Sequence, residues 1–248
     1  MLRQAGFVLP TPFYFPKVDD MITCSSIRFD IDRARRIGLP EAVFCAGKAA
    51  EHLAVLLERF AQSDEKPILF TRLEKSVLLA QPPSIQAAYD YDPLSRTAWN
   101  RPRPSRKHGC AAVVSAGTAD SAVAHEISRT LTYLGWPCRL FEDCGVAGLW
   151  RIQAALEDIN RCDVVIVVAG LDAALASVVG GLTDKPLFAV PTSVGYGVAQ
   201  GGTTALHSML ASCAPGVAVL NIDNGYGAAC AASRILERLY PPHESKSL

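Results

Sequence analysis

The segment Asp163–Ala169 reads DVVIVVA. A continuous apolar run of strand length, rich in β-branched residues, suits a parallel strand buried on both faces, because helices cover both sides of such a sheet. It sits inside a regular alternation. Strand-like runs at Cys110–Ser115, Cys138–Phe141, Asp163–Ala169, Leu187–Val190 and Val217–Ile222 are each followed by a segment of helical character, at Asp120–Leu134, Leu149–Arg161, Leu171–Leu182, Gly202–Cys213 and Gly225–Tyr240. Strands and helices taking turns five times predict an α/β fold built as a doubly wound parallel sheet with right-handed crossovers.

The first hundred residues follow another grammar. A charged helical stretch within Ile27–Ile37 stops at Gly38. Glu41–Cys45 reads as a short strand, and Gly47–Phe60 places Ala50, Leu53, Ala54, Leu57 and Phe60 on one helical face. Pro67–Thr71 and Ser84–Tyr89 read as further strands. The stretch Asn100–His108, NRPRPSRKH, has two prolines, five basic residues counting His108, and no aliphatic residue, which is linker composition. The expected organisation is a small α/β domain with its linker over 1–104 and the larger domain over 105–248.

Charge and cysteine usage narrow the function classes. The 248 residues carry 24 basic and 24 acidic side chains, so the net charge is zero. That argues against a nucleic-acid partner, which needs a basic face, while leaving room for a local anion site. Hydrophobic residues make up 50% and charged ones 19%, a balance that supports a buried core and excludes general disorder. The 8 cysteines show no C-x-x-C pair, and a chain this long does not need a disulfide framework. Most are expected to be reduced packing residues. The opening MLRQAGFVLPTPFYFPKVDD lacks a signal-peptide pattern, and no stretch has the roughly 20 apolar residues of a membrane span. The expectation is a soluble, cytoplasmic protein without a membrane partner. His52, His108, His125, His207 and His243 have no metal-ligand spacing, so no metal ligand is assigned.

Ligands of doubly wound sheets bind outside the carboxyl ends of the strands. Here those ends read SAGTAD (Ser115–Asp120), EDCGVAG (Glu142–Gly148), AGLD (Ala169–Asp172), PTSVGYGVAQGG (Pro191–Gly202) and NIDNGYG (Asn221–Gly227), all rich in small polar residues. Ser115–Asp120 can be an anion site at a helix start or a plain N-cap by Thr118 or Asp120. Gly180–Gly181 reads first as a helix C-cap and second as a place for close ligand approach. The loop Thr192–Gly202, with four glycines, reads as a binding loop. Asp172 can take a proton from a ligand in the crevice or cap the helix beside it. Cys213 closes the helical stretch 202–213, and His207 does not share its face, so by composition it reads as a packing cysteine.

The run VVIVVAGLDAALASVVGGLTDKPLFAVPTSVGYG and the later MLASCAPGVAVLNIDNGYGA resemble the LarB family, the pyridinium-3,5-biscarboxylic acid mononucleotide synthases of nickel-pincer cofactor biosynthesis. AGTADSAVAHE, EDCGVAG, FDIDRARRIGLPEAVFCAGK and YDPLSRTAW extend the resemblance over roughly residues 27–238. The C-terminal half is also similar to the PurE-type aminoimidazole ribonucleotide (AIR) carboxylase fold, a flavodoxin-like arrangement. The resemblance implies nicotinic acid adenine dinucleotide as substrate, carboxylation of its pyridinium ring by carbon dioxide or bicarbonate, hydrolysis of the phosphoanhydride to AMP, and assistance by Mg²⁺. It puts the catalytic cysteine at Cys213 and the catalytic carboxylate at Asp172. Substrate contacts are expected from Ser115, Gly117, Thr118, Asp120, Asp143, Gly148, Gly170, Ser177, Gly180, Gly181, Ser193, Gly195, Tyr196, Gly197, Asn221, Asp223, Asn224 and Gly225. A homo-oligomer, with the octamer common to PurE-like domains, is implied as well. The chain departs from the family at Asp172, where Glu is usual, at Ala176 for Pro, at Leu171 for Met and at Trp150 for His. The alternatives are a PurE-like carboxylase or mutase for another nucleotide, disfavoured because AGLDAALAS holds no His, and a non-catalytic nucleotide-binding module.

Overall fold

The computed structural model describes residues 27–30, 32–62 and 67–241. The opening segment, Cys24 and His243 lie outside them. The described residues fall into two compact units, one ending at Glu41 and the other beginning at Ala42. In the first, helix α1 (Arg33–Ile37) stops where Gly38 turns left-handed, φ 77°, and Arg36 pairs with Asp30.

The second unit holds two sheets. The smaller has four strands in the order β1-β2-β4-β3: β1 (Ala42–Phe44), β2 (Leu69–Thr71), β3 (Asp90–Asp92) and β4 (Thr97–Trp99). Helices α2 (Ala50–Ala61), α3 (Lys75–Leu79) and α4 (Pro83–Gln86) accompany it. The expected strand at Ser84–Tyr89 is corrected here. Pro83 at the first helical position presets a helical φ, and the Gln86 amide donates to the carbonyls of Leu79 and Gln81, so the segment closes as a turn and strand β3 starts only at Asp90. Helix α3 and strand β4 have no counterpart in the sequence pattern.

The larger sheet is parallel throughout, with β5 (Ala111–Ser115), β6 (Cys138–Phe141), β7 (Val164–Ala169), β8 (Leu187–Pro191) and β9 (Val217–Val219) in the order β6-β5-β7-β8-β9. All six residues of β7 are fully buried, as its apolar run requires. The helices are α5 (Ser121–Tyr133), α6 (Leu149–Asn160), α7 (Ala174–Gly180), α8 (Thr203–Leu210) and α9 (Gly225–Leu239). Two differ from expectation in a way that matters for function. Helix α7 starts three residues late because Leu171 and Ala173 are left-handed. Helix α8 ends at Leu210, so Cys213 lies in the following loop with its side chain exposed, not at the end of a helix.

Helix α5 joins the two sheets. The Arg129 guanidinium lies 3.8 Å from the Trp99 ring centroid and its Nε donates to Thr97 Oγ1 at 2.7 Å, while the Tyr133 hydroxyl donates to the Pro67 carbonyl. The stretch 100–108 is coil held down at several points. Arg103 N donates to Tyr133 O, Arg106 N donates to Gly135 O, and the Arg106 guanidinium covers Trp136 at 4.1 Å while pairing with Glu237. Gly135 must be glycine: its φ is 87°, and a Cβ there would meet the Pro104 carbonyl at 2.5 Å. No helix among the described residues is long and apolar enough to cross a membrane.

Candidate active site

The order β6-β5-β7-β8-β9 is second, first, third, fourth, fifth strand of this half. Its direction reverses between β5 and β7, and crossovers that leave in opposite directions open a crevice there. A cavity of about 610 Å³ occupies that crevice, within the range of small-molecule sites. Its walls come from three strand ends: Ala116–Asp120 after β5, Asp143 and Gly145–Ala147 after β6, and Ala169–Leu175 after β7, with Val194 reaching over. The small side chains Ala116, Ala147, Ala169 and Ala174 create the space.

Asp120 ties the loops together. It is 4% exposed, and its carboxylate accepts from Thr192 Oγ1 at 2.6 Å and from Gly117 N at 2.9 Å. Burial raises its pKa above the ordinary carboxylate value, against these hydrogen bonds. Leu171 N donates to Val194 O, which draws the β7 and β8 loops into contact. Gly170 stands where they meet. A Cβ on it would lie 2.6 Å from Thr192 Oγ1 and 2.8 Å from Val194 Cβ.

Asp172 is different in kind. It is exposed on the cavity rim, and among the described residues its carboxylate accepts only a weak bond, from Ala174 N at 3.4 Å. Asp143, also on the rim, is held by Arg151 at 2.8 Å.

A second cavity, about 180 Å³, adjoins the first and shares Ala119 and Val194 with it. It is lined by Arg72, Leu94, Ser95, Arg96, Glu126, Ser193 and Asp223, among others. Glu126 is 5% exposed, and burial raises its pKa while the Arg72 charge and the backbone N–H groups of Tyr226 and Gly225 oppose that shift.

The structure thus gathers Gly117, Thr118, Asp120, Asp143, Gly170 and Asp172 around one cavity, and Ser193 and Asp223 around its neighbour. The other anticipated residues line neither. Ser115 is buried with its hydroxyl unpartnered among the described residues, Gly148 packs near Arg151 and Trp150, and Gly180 packs on Ala214 and Val217. Gly181 caps α7, Asn224 caps α9 by accepting from Gly227 N, Gly225 is close-packed against Glu126, and the Asn221 side chain accepts from Ile222 N. Gly195, Tyr196 and Gly197 belong to the loop leading into α8, with Tyr196 82% exposed. Ser177 hydrogen-bonds Ser212 at 2.7 Å, which fixes the loop carrying Cys213, but Cys213 itself does not line the Asp172 cavity. Sequence reasoning missed Arg72, Arg96 and Arg151, because a surface arginine gives no periodic or spacing signal.

A family model of LarB/PurE-like N-terminal domains matches residues 22–101, and one of AIR carboxylases matches residues 111–246. An uncharacterized protein of Methanocaldococcus jannaschii is 32% identical over 235 residues, covering 92% of this chain and 88% of its own length. Among solved structures, Treponema denticola PurE is 20% identical over 54% of this chain and 82% of its own, with a TM-score of 0.45. A PurE2 structure from the same organism gives 20% identity, the same coverage and a TM-score of 0.42. A switch-point cavity on a parallel sheet, in a chain with these two domains in this order, defines an enzyme of the carboxylase or mutase kind that acts on a nucleotide. The chain belongs to the LarB family, with a PurE-like C-terminal domain.

Proposed function

We propose that the chain carboxylates the pyridinium ring of nicotinic acid adenine dinucleotide and hydrolyses its phosphoanhydride, releasing AMP and pyridinium-3,5-biscarboxylic acid mononucleotide. The observation that carries this reading is Asp172, an exposed carboxylate at the rim of the switch-point cavity that accepts one weak bond among the described residues. A pyridinium ring is too electron-poor to attack carbon dioxide. Addition of the Cys213 thiolate forms a C–S bond and turns the ring into a dihydropyridine, whose enamine carbon then bonds to carbon dioxide. The Asp172 carboxylate takes the proton from that carbon, and the C–S bond breaks to return the thiolate and the aromatic ring. Water cleaves the phosphoanhydride.

In this reading thiol and carboxylate must meet one ring. Since Cys213 does not line the cavity of its own chain, we assign the meeting to two copies, the Cys213 loop of one covering the Asp172 cavity of the other. That agrees with the homo-oligomer the family resemblance implies. Mg²⁺ would sit on the substrate's pyrophosphate, where one carboxylate with waters suffices to hold it; the exposed Asp172 carboxylate on the cavity rim is the candidate side chain.

Incubation with the dinucleotide, bicarbonate and Mg²⁺ is expected to yield AMP and a mononucleotide heavier by one carboxyl group. Cys213→Ala is expected to abolish carboxylation and leave dinucleotide binding largely intact. Binding without either product would favour a nucleotide-binding module instead, and full activity of Cys213→Ala would remove the covalent mechanism.

A further inference from the structure

Among the described residues, six other than glycine hold left-handed backbone: Arg72, Arg96, Asp143, Leu171, Ala173 and Asp223, with φ between 53° and 55°. Side chains with a Cβ disfavour that conformation, and it persists where the surroundings impose it, commonly at binding sites. All six line the two adjoining cavities. Asp143, Leu171 and Ala173 belong to the larger one, and Arg72, Arg96 and Asp223 to the smaller. The smaller cavity is therefore shaped with the same backbone device as the switch-point crevice beside it.

Its size and walls select a ligand. At about 180 Å³ it has less than a third of the volume of the larger cavity, room for a phosphoryl group and its solvent. Two guanidinium groups face it. Arg72 donates to the Asp223 carbonyl at 2.5 Å and lies 5.2 Å from the Phe44 ring centroid, which fixes its plane. Arg96 donates to Glu74 at 2.7 Å, in a pair whose side chains are 49% and 60% exposed, so this bond contributes little and can be exchanged. Two carboxylates also face the cavity: Glu126, whose charge is favoured by Arg72, by the backbone N–H groups of Tyr226 and Gly225 and by Arg96, and Asp223, which accepts from Ser193 N at 2.8 Å. Each guanidinium has five N–H donors in a planar fork that matches a phosphate edge. We propose that this cavity is an anion subsite, in which Arg72 and Arg96 grip a phosphoryl group of the nucleotide seated in the larger cavity across the Ala119–Val194 boundary. The subsite rests on the reading above only for the identity of that nucleotide.

The first test uses inorganic pyrophosphate and calorimetry on the whole chain. Wild type is expected to bind it, Arg96→Gln to bind about tenfold more weakly or worse, and Glu74→Gln, which frees Arg96, about twofold more tightly. Arg96 is exposed enough that its replacement should leave the melting temperature unchanged. Absence of binding to wild type, or equal binding by Arg96→Gln, overturns the subsite. The second test compares nicotinic acid mononucleotide with its nucleoside. Wild type is expected to prefer the mononucleotide, and Arg96→Gln to lose that preference. Arg96-dependent pyrophosphate binding with no binding of either pyridine compound keeps the subsite and removes the pyridine substrate. Equal wild-type binding of nucleotide and nucleoside removes the subsite and keeps the substrate.

Discussion

Asp172 and Asp120 carry the same functional group in opposite settings: one is exposed with a single weak bond, the other is buried under two loops. The sequence marks both as acidic residues at strand ends. Only their surroundings separate an exposed carboxylate from a structural tie. Asp172→Asn is expected to change stability by less than about 0.5 kcal/mol and to lower kcat by about a hundredfold. Steady-state kinetics with an unfolding titration checks both, and an unaltered kcat would rule Asp172 out as the base. Asp172→Glu, the residue usual in the family, should keep or raise the rate. The cysteines divide in a similar way. Cys110 and Cys162 stand with their sulfurs 3.3 Å apart, and a hydrogen bond from Cys162 pulls the Cys110 pKa down while Cys162 itself is pushed up. The pH midpoint of Cys110 alkylation should therefore lie below that of an ordinary thiol. In Cys162→Ala that midpoint should move up towards the ordinary thiol value. An unchanged midpoint would show that the pair is not coupled. The described cysteines thus include two with a shared chemistry that no spacing rule announces.

At the scale of elements, the five strand ends are legible because the period of the chain changes there, from apolar runs to small polar residues. The loops' mutual approach is not, since it depends on which strands become neighbours. Gly170 shows the difference. It looks like any loop glycine until β7 and β8 pair, whereupon Thr192 and Val194 close over it. Gly170→Ala is expected to lower stability by about 1–3 kcal/mol through overpacking, seen as a lower urea midpoint, and to weaken ligand binding by displacing Thr192 from Asp120. A midpoint equal to wild type would mean that the loops part easily. Periodicity makes helix α7 five residues too long, and the three extra at its start have a related reason. Its sequence is helix-compatible from Leu171, but the left-handed turns at Leu171 and Ala173 are imposed by the contact with Val194 and the crevice. The proline-bearing stretch at 100–108 has the composition of a free linker, and yet Arg106 is bound through its backbone, its ring contact and its ion pair.

For the whole molecule, the proposed site needs a thiol and a carboxylate that one chain does not bring to one cavity. If two copies complete it, Cys213→Ala, inactive alone, and Asp172→Asn, about a hundredfold impaired alone, should regain activity when their subunits are exchanged, up to about one quarter of wild type for random pairing across an interface. A mixture that stays inactive after verified exchange would place both groups within one chain. The parallel sheet, its buried central strand, the polar carboxyl edge and the family are all readable from the amino-acid order, because each is written in local periodicity or in contiguous motifs. Packing in three dimensions set the strand order and hence the switch point, the split of acidic residues into exposed and tied, and the meeting of Arg72, Arg96 and Asp223 around a cavity. Those last residues are separated by up to 151 positions in the chain. Contacts over such distances depend on how elements pack, and no local pattern encodes them.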